Sequence, residues 1–545
     1  MGFLGRLIDR GLGLPGTGRT RFVVQRDLPI PMPDGVELRA DWYRPRPVAA
    51  RLPVVLVRSP YGRRSFGVIF GAVLARRGFQ VVVQNVRGTF DSGGELHAYH
   101  QEQQDGLDTI AWLRARPWCD GRVAMAGLSY LGFTQWAVAP YLDQPLEAVC
   151  LGVTASQFMN VFYTGGALAL DTALSWSTVI ARQERGMLRG MLTESRQRRR
   201  TAEALASLPL RAADRAATGS QSRFWAEAIE HTGPDDVFWA GVDHSAAVGK
   251  MTTPATMTTG WYDLFLPWQL DDFRALTNAG VPARVTIGPW AHADFPGMRA
   301  LLRDQIEWLS AHLQGDTSTR DRAPVRVFLQ HADEWLDFDQ WPPARSQDTA
   351  LYLRGGRALG WEPDSAGRPD AFVLDPADPT PSVGGAVFSG KVRQQDNRTV
   401  EARTDVLVYT TPALTEPYDV VGDVRAEIFL RTGPGHADVF VRLCDVDPAG
   451  VSRNVCDGIL RLRPGHPAAD DGVVRAVVKM WPTGYRFRTG HRIRVQVAGG
   501  AFPRYSRNHG TGEPTSDAVR TTPIQYEILH DAQHPSHLML PHLPG

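Results

Sequence analysis

The sequence is 545 residues long, with 43% hydrophobic and 21% charged residues, a globular balance that excludes a disordered chain. That length exceeds one ordinary domain and leaves ample apolar material for sizeable cores. A net charge of +1 gives no electrostatic ground for nucleic acid or an acidic membrane surface as the main partner. The four cysteines are too few for a disulfide framework, so a reducing, cytoplasmic setting is expected.

The first residues, MGFLGRLIDRGLGLPG, lack an apolar stretch followed by a small-residue cleavage site, and lack the Ser/Thr of a myristoylation signal. No run approaches the roughly 20 apolar residues of a membrane span. FVVQRDLPI and VELRADWYRP alternate around Pro33-Asp34-Gly35, which predicts an antiparallel hairpin. PVVLVRS, FQVVVQNV, RVAMAG and EAVCLGV are continuous apolar runs, as buried parallel strands are. Helical stretches near Val68–Arg77, over Asp105–Arg116 and from Tyr130 separate them, so the alternation predicts a doubly wound α/β sheet.

From 156 to 247 the chain is rich in Ala, Leu, Arg and Gln, and is read as a helical cap inserted in the sheet. Its basic run, Arg196 to Arg200, reads as a solvated helix face. ATMTTGW and ARVTIGPW resume the strands, with helices Trp268–Asn278 and Leu301–Leu313. Beyond Val325, strands such as ALYLRG, ADVFVRLCDVD and HRIRVQVAG recur between Pro/Gly/Asp turns, which predicts a β-sandwich, plausibly a jelly roll. The expected organisation is thus 20–155 and 248–324 as the two parts of an α/β core, 156–247 as cap and 325–545 as sandwich. Cys444 and Cys456 flank a probable hairpin, and the sequence leaves open whether they pair. His530, His534, His537 and His542 match no compact zinc spacing, so neither a metal nor a cofactor is expected.

Gly127-Leu128-Ser129-Tyr130-Leu131-Gly132 contains G-x-S-x-G. The pentapeptide alone is weak, but here a strand precedes it and a helix follows at once, the context that exposes a serine oxygen above a sheet. Serine needs a base, and the base needs an orienting acid. In such folds the chain order is Ser, acid, His; Asp263 follows one later strand and His292 the next. Asp294, on the loop of His292, is the rival acid. The oxyanion of the intermediate needs two donors. The Tyr130 backbone N–H is the first candidate; in the loop Arg58-Ser59-Pro60-Tyr61-Gly62-Arg63, the Tyr61 phenol is a second, or a packing aromatic.

Several further segments, RSPYG, NVRGTFDSGGE, GWYDLF, IGPWAH, GHRIRVQVAGGAFPRYSRN and HDAQHPSHLMLP, complete a pattern running from Tyr61 to Pro541. With the serine segment, it resembles the cocaine-esterase-like hydrolases, grouped with the X-Pro dipeptidyl-peptidases and α-amino-acid ester hydrolases. The resemblance implies an α/β-hydrolase domain, a helical cap and a C-terminal jelly roll. It implies Ser129, Asp263 and His292 as a triad, with the Tyr61 hydroxyl and the Tyr130 N–H in the oxyanion hole. By the same resemblance Phe265 and Trp176 line the acyl site, although either reads equally as core packing, and Arg87 ties loops together. The implied activity is ester hydrolysis on a small-molecule substrate through an acyl-enzyme. An amidase or X-Pro dipeptidyl-peptidase on the same triad is the alternative, and needs carboxylates to hold a substrate amine; Asp171, Glu184, Glu227 and Glu230 are the cap's candidates. A non-catalytic carbohydrate-binding protein is the reading from another class. The sequence leaves a homodimer open.

Overall fold

A computed structural model of the chain describes residues 13–14, 20–47, 51–183, 187–233, 235–316, 318, 322–364, 367–389, 391–433, 435–469 and 471–545, except the side chains of 68 and 187–194. The leader reading of the first residues, and Glu184 in the cap, lie outside these.

Strands β1 (Arg21–Pro31) and β2 (Glu37–Arg46) form the expected hairpin. They are followed by β3 (Leu52–Ser59), β4 (Gln80–Asn85), β5 (Cys119–Leu128) and β6 (Val149–Gly152). The cap contributes a short hairpin, β7 (Tyr163–Thr164) and β8 (Ala167–Leu168), that composition did not signal. The core resumes with β9 (Ala255–Tyr262) and β10 (Ala283–Ala291). The sheet order is β1-β2-β4-β3-β5-β6-β9-β10, followed by β11 (Val325–Leu329) and β12 (Glu334–Phe338). From β4 to β11 each pairing is parallel. Every residue of β4, β6 and β9 is buried, as strands covered on both faces must be.

The last two strands correct the expected boundary at Val325. Val325–Leu329 pairs in parallel with β10, and β12 turns back against it, so VRVFLQ ends the hydrolase sheet instead of opening the sandwich. Its burial alternates along the strand. A half-buried edge strand and a sandwich strand therefore carry the same sequence pattern, and only tertiary pairing separates them. The all-β part forms its own large sheet from Gln347 onward.

The other differences are local. The helix expected near Val68–Arg77 begins earlier, at Arg63, and passes through a π-turn at Gly67–Ala72. The last core helix starts at Phe295 because Asp294 caps it, its side chain accepting from Gly297 N–H at 2.8 Å. The basic run lies on helix Met187–Leu205, with Arg196, Arg198, Arg199 and Arg200 exposed as expected. Cys444 and Cys456 are buried free thiols. A register shift sets Leu443 opposite Cys456 and Cys444 opposite Asn454, so the two cysteines do not face each other.

The cap is wedged against the all-β part. Arg461 N–H donates to the Gly165 carbonyl at 2.8 Å, and Ser506 N–H to that of Leu168 at 2.8 Å. Gly165 has φ 54°, and a Cβ there would sit 1.9 Å from the Ile459 carbonyl oxygen, so only glycine allows this approach. That seating precedes helix Leu170–Arg182, whose Trp176 reaches Tyr61 in the loop after β3.

Candidate active site

Ser129 follows β5 and caps helix Tyr130–Trp136 with φ 52° and ψ −124°, a conformation costly for any residue with a Cβ. The surroundings hold it there. Its N–H donates to the Gly152 carbonyl at 2.8 Å, and its carbonyl accepts from Thr154 Oγ1 at 2.9 Å. The flanking glycines are needed for space. A Cβ on Gly127 would lie 2.5 Å from Leu131 Cβ, and one on Gly132 2.4 Å from Thr154 Cγ2. The sharp turn lifts the serine side chain into a cavity above the sheet.

His292 borders the same cavity, from the loop after β10. Its Nδ1–H donates to Asp263 Oδ2 at 2.8 Å, leaving Nε2 as the nitrogen able to take a proton. Asp263 is wholly buried after β9. Its second oxygen accepts from Phe265 N–H at 2.8 Å, and its carbonyl accepts from Trp481 Nε1 at 3.0 Å. The all-β part thus braces the loop that carries the acid. The rival acid has other work: Asp294 accepts from Ala291 and Gly297 N–H and pairs with Arg393.

The Tyr61 hydroxyl accepts from Trp176 Nε1 at 2.9 Å, and the Ser129 side chain is near enough to act on the phenol. Burial pushes this phenol up to about 12, against the pull of those two neighbours. It therefore stays protonated and able to donate near neutral pH. The Tyr130 N–H stands at the first position of a helix, where no intrahelical acceptor exists. The Tyr130 side chain points away from that role. Its hydroxyl donates to Glu102 Oε1 at 2.8 Å and accepts from Tyr99 N–H at 2.9 Å, and Glu102 is paired with buried Arg58 at 2.9 Å. This buried chain anchors the first turn of the helix to the core.

The cavity walls are mostly aromatic. Phe265 and Trp176 both line it. Phe265 lies 5.5 Å from the His292 ring and 5.1 Å from Phe158. Tyr99, Phe158, Phe162 and Phe388 complete the wall and escaped sequence reading. Phe388 sits in the all-β part, 6.0 Å from the His292 ring, and no local pattern in GAVFSG singles it out. Tyr99 has φ 72°, a constraint invisible in sequence. Arg87, which the resemblance gave as tying loops, pairs with Asp105 in helix Glu102–Arg114 at 2.6 Å and with Asp34 in the β1–β2 turn at 2.7 Å.

Among the described cap acids, Asp171, Glu227 and Glu230 do not line the cavity. Asp171 is buried and accepts from Phe388 N–H at 2.8 Å, Ser389 N–H at 2.9 Å and the Ser389 hydroxyl. Glu227 pairs with Arg223 at 2.8 Å and His97 at 3.3 Å, and Glu230 is exposed. No carboxylate lines the cavity among the described residues.

A nucleophile turn at the centre of a parallel sheet, followed by an acid and a histidine at later strand ends, defines an α/β-hydrolase. The sequence model of the X-Pro dipeptidyl-peptidase (S15) family matches residues 34–294, and that of the family's C-terminal non-catalytic domain matches 318–539. Cocaine esterase of Rhodococcus sp. (strain MB1 Bresler) is 32% identical over 585 aligned positions, covering 95% of this chain and 98% of that protein. The chain belongs to this family of serine hydrolases. In fold it is similar to an aminopeptidase from a marine sediment archaeon (Thaumarchaeota), with TM-score 0.81, 22% identity and coverage of 97% and 98%. An α-amino acid ester hydrolase gives TM-score 0.81, 21% identity and the same coverage. No helix among the described residues is long and apolar enough to cross a membrane.

Proposed function

We propose that this enzyme hydrolyses carboxylic esters with a neutral, apolar acyl group. Ser129 is the nucleophile, His292 the base and Asp263 the acid that orients it. The observation that carries the reading is the His292–Asp263 hydrogen bond at the rim of an aromatic cavity that also holds Ser129. His292 takes the proton of Ser129 as the oxygen attacks the ester carbonyl, and returns it to the departing alkoxide. Water, deprotonated by the same histidine, then attacks the acyl-enzyme and frees the acid. The Tyr61 hydroxyl and the Tyr130 N–H hold the oxyanion in both steps. Phe265 and Trp176 bound the acyl group. The mainly apolar lining favours small hydrophobic or aromatic acyl groups. Four buried thiols support the cytoplasmic setting expected from their number.

The X-Pro and α-amino acid alternatives require a partner for a substrate ammonium. Bringing an unpaired ammonium into this cavity is costly. On matched p-nitrophenyl esters, kcat/KM for butyrate is therefore expected to exceed that for an α-aminobutyrate by at least about 100-fold. X-Pro anilides are expected to turn over more slowly still. Equal rates, or a preference for the free amine, would overturn the acyl assignment while leaving the triad intact.

A further inference from the structure

We propose that Trp176 is a positioning residue of the oxyanion hole, aiming the Tyr61 hydroxyl as well as walling the acyl site. The inference rests on the proposed role of Tyr61. An indole N–H can only donate, so at 2.9 Å the Tyr61 oxygen must be the acceptor. That bond occupies a lone pair of the phenol and leaves its single hydrogen free for an acceptor on the side of the Ser129 side chain, its other polar neighbour. When the carbonyl oxygen gains charge beside Ser129, the phenol is already turned toward it. A donor on the phenol oxygen also polarises its O–H, strengthening the bond it gives.

The indole is itself held in place. It is stacked at 9° on the Tyr130 ring with centroids 6.1 Å apart, lies 5.3 Å from Tyr99 and meets Phe224 edge-on at 4.5 Å. Its helix, Leu170–Arg182, is pinned at Asp171 by the backbone of Phe388 and Ser389. The cap therefore supplies the donor behind the oxyanion hole, and the all-β part fixes the cap. One residue thus links acyl fit to oxyanion stabilisation: an acyl group that pushes the indole aside also releases the phenol.

The test is a double-mutant cycle of Trp176→Phe and Tyr61→Phe, read as kcat and KM on p-nitrophenyl butyrate. Trp176→Phe keeps an aromatic ring and removes the N–H, and is expected to lower kcat about 10-fold with KM nearly unchanged. In the Tyr61→Phe background the same change is expected to cost less than about 2-fold, because its target is gone. Trp176→His, which can present a ring N–H, is expected to recover part of kcat. If Trp176→Phe costs the same in both backgrounds, or acts on KM alone, the indole only packs and the proposal is overturned. If Tyr61→Phe is itself as active as wild type, the oxyanion reading of Tyr61 fails first, a result the cycle separates from the other. Melting temperatures of all variants identify losses due to misfolding, and the histidine variant carries the test if the phenylalanine variant is unstable.

Discussion

His292→Ala lowers kcat by about 10⁴-fold or more, and Asp263→Asn by about 10³ to 10⁴-fold, with KM changed far less. The first loss follows from the serine hydroxyl, which is a poor nucleophile without a base at hand. The second follows from the geometry around the acid. One oxygen of Asp263 is claimed by the Phe265 N–H, and the other faces His292 Nδ1. In Asp263→Asn the remaining oxygen stays with Phe265, and the amide NH₂ is turned toward the imidazole. A donor there demands an unprotonated Nδ1, which moves the proton to Nε2 and removes the base from Ser129. The buried site keeps its shape, so the defect is expected in kcat at nearly native melting temperature. Steady-state kinetics beside thermal unfolding check this. A variant within tenfold of wild type would exclude Asp263 as the orienting acid.

Tyr61→Phe lowers kcat by about 10² to 10³-fold, the cost of losing one donor to an oxyanion in a water-poor site. The phenol is held protonated by burial, and its oxygen already accepts from Trp176 Nε1, so its hydrogen is free to meet the charge as it develops. The effect belongs in kcat because a ground-state carbonyl asks less of that donor than the tetrahedral oxygen does. The backbone N–H of Tyr130 survives any side-chain change and accounts for the activity left. Parallel loss in binding of a boronic acid that mimics the tetrahedral adduct checks the assignment. Unchanged turnover would remove Tyr61 from the oxyanion hole.

How much of this was legible in sequence depended on the range of the interactions. The strands of the hydrolase sheet were readable because parallel strands buried on both faces give unbroken apolar runs, as in β4 and β9. The order Ser129, Asp263, His292 was legible because each stands at a strand end, and the structure sets Ser129 and His292 on one cavity with Asp263 bonded to His292. β11 was misplaced because an edge strand and a sandwich strand share one alternating pattern. The function of Asp294 was decided by a cap three residues away, a contact its sequence neighbourhood permits without requiring. Phe388 and Trp481 were out of reach: they meet His292 and the Asp263 carbonyl across more than 90 residues, through the seating of a second sheet. Trp176 was read as an acyl-site aromatic or as core packing; its indole N–H on Tyr61 depends on how the cap docks.

The central claim is that Ser129, activated by His292, is the nucleophile. Mass-spectrometric mapping of the adduct formed with a fluorophosphonate tests it most directly. One phosphonyl group per chain is expected, on Ser129, absent in Ser129→Ala and formed far more slowly in His292→Ala. A stoichiometric adduct on another residue, or labelling of Ser129→Ala at the wild-type rate, would contradict it.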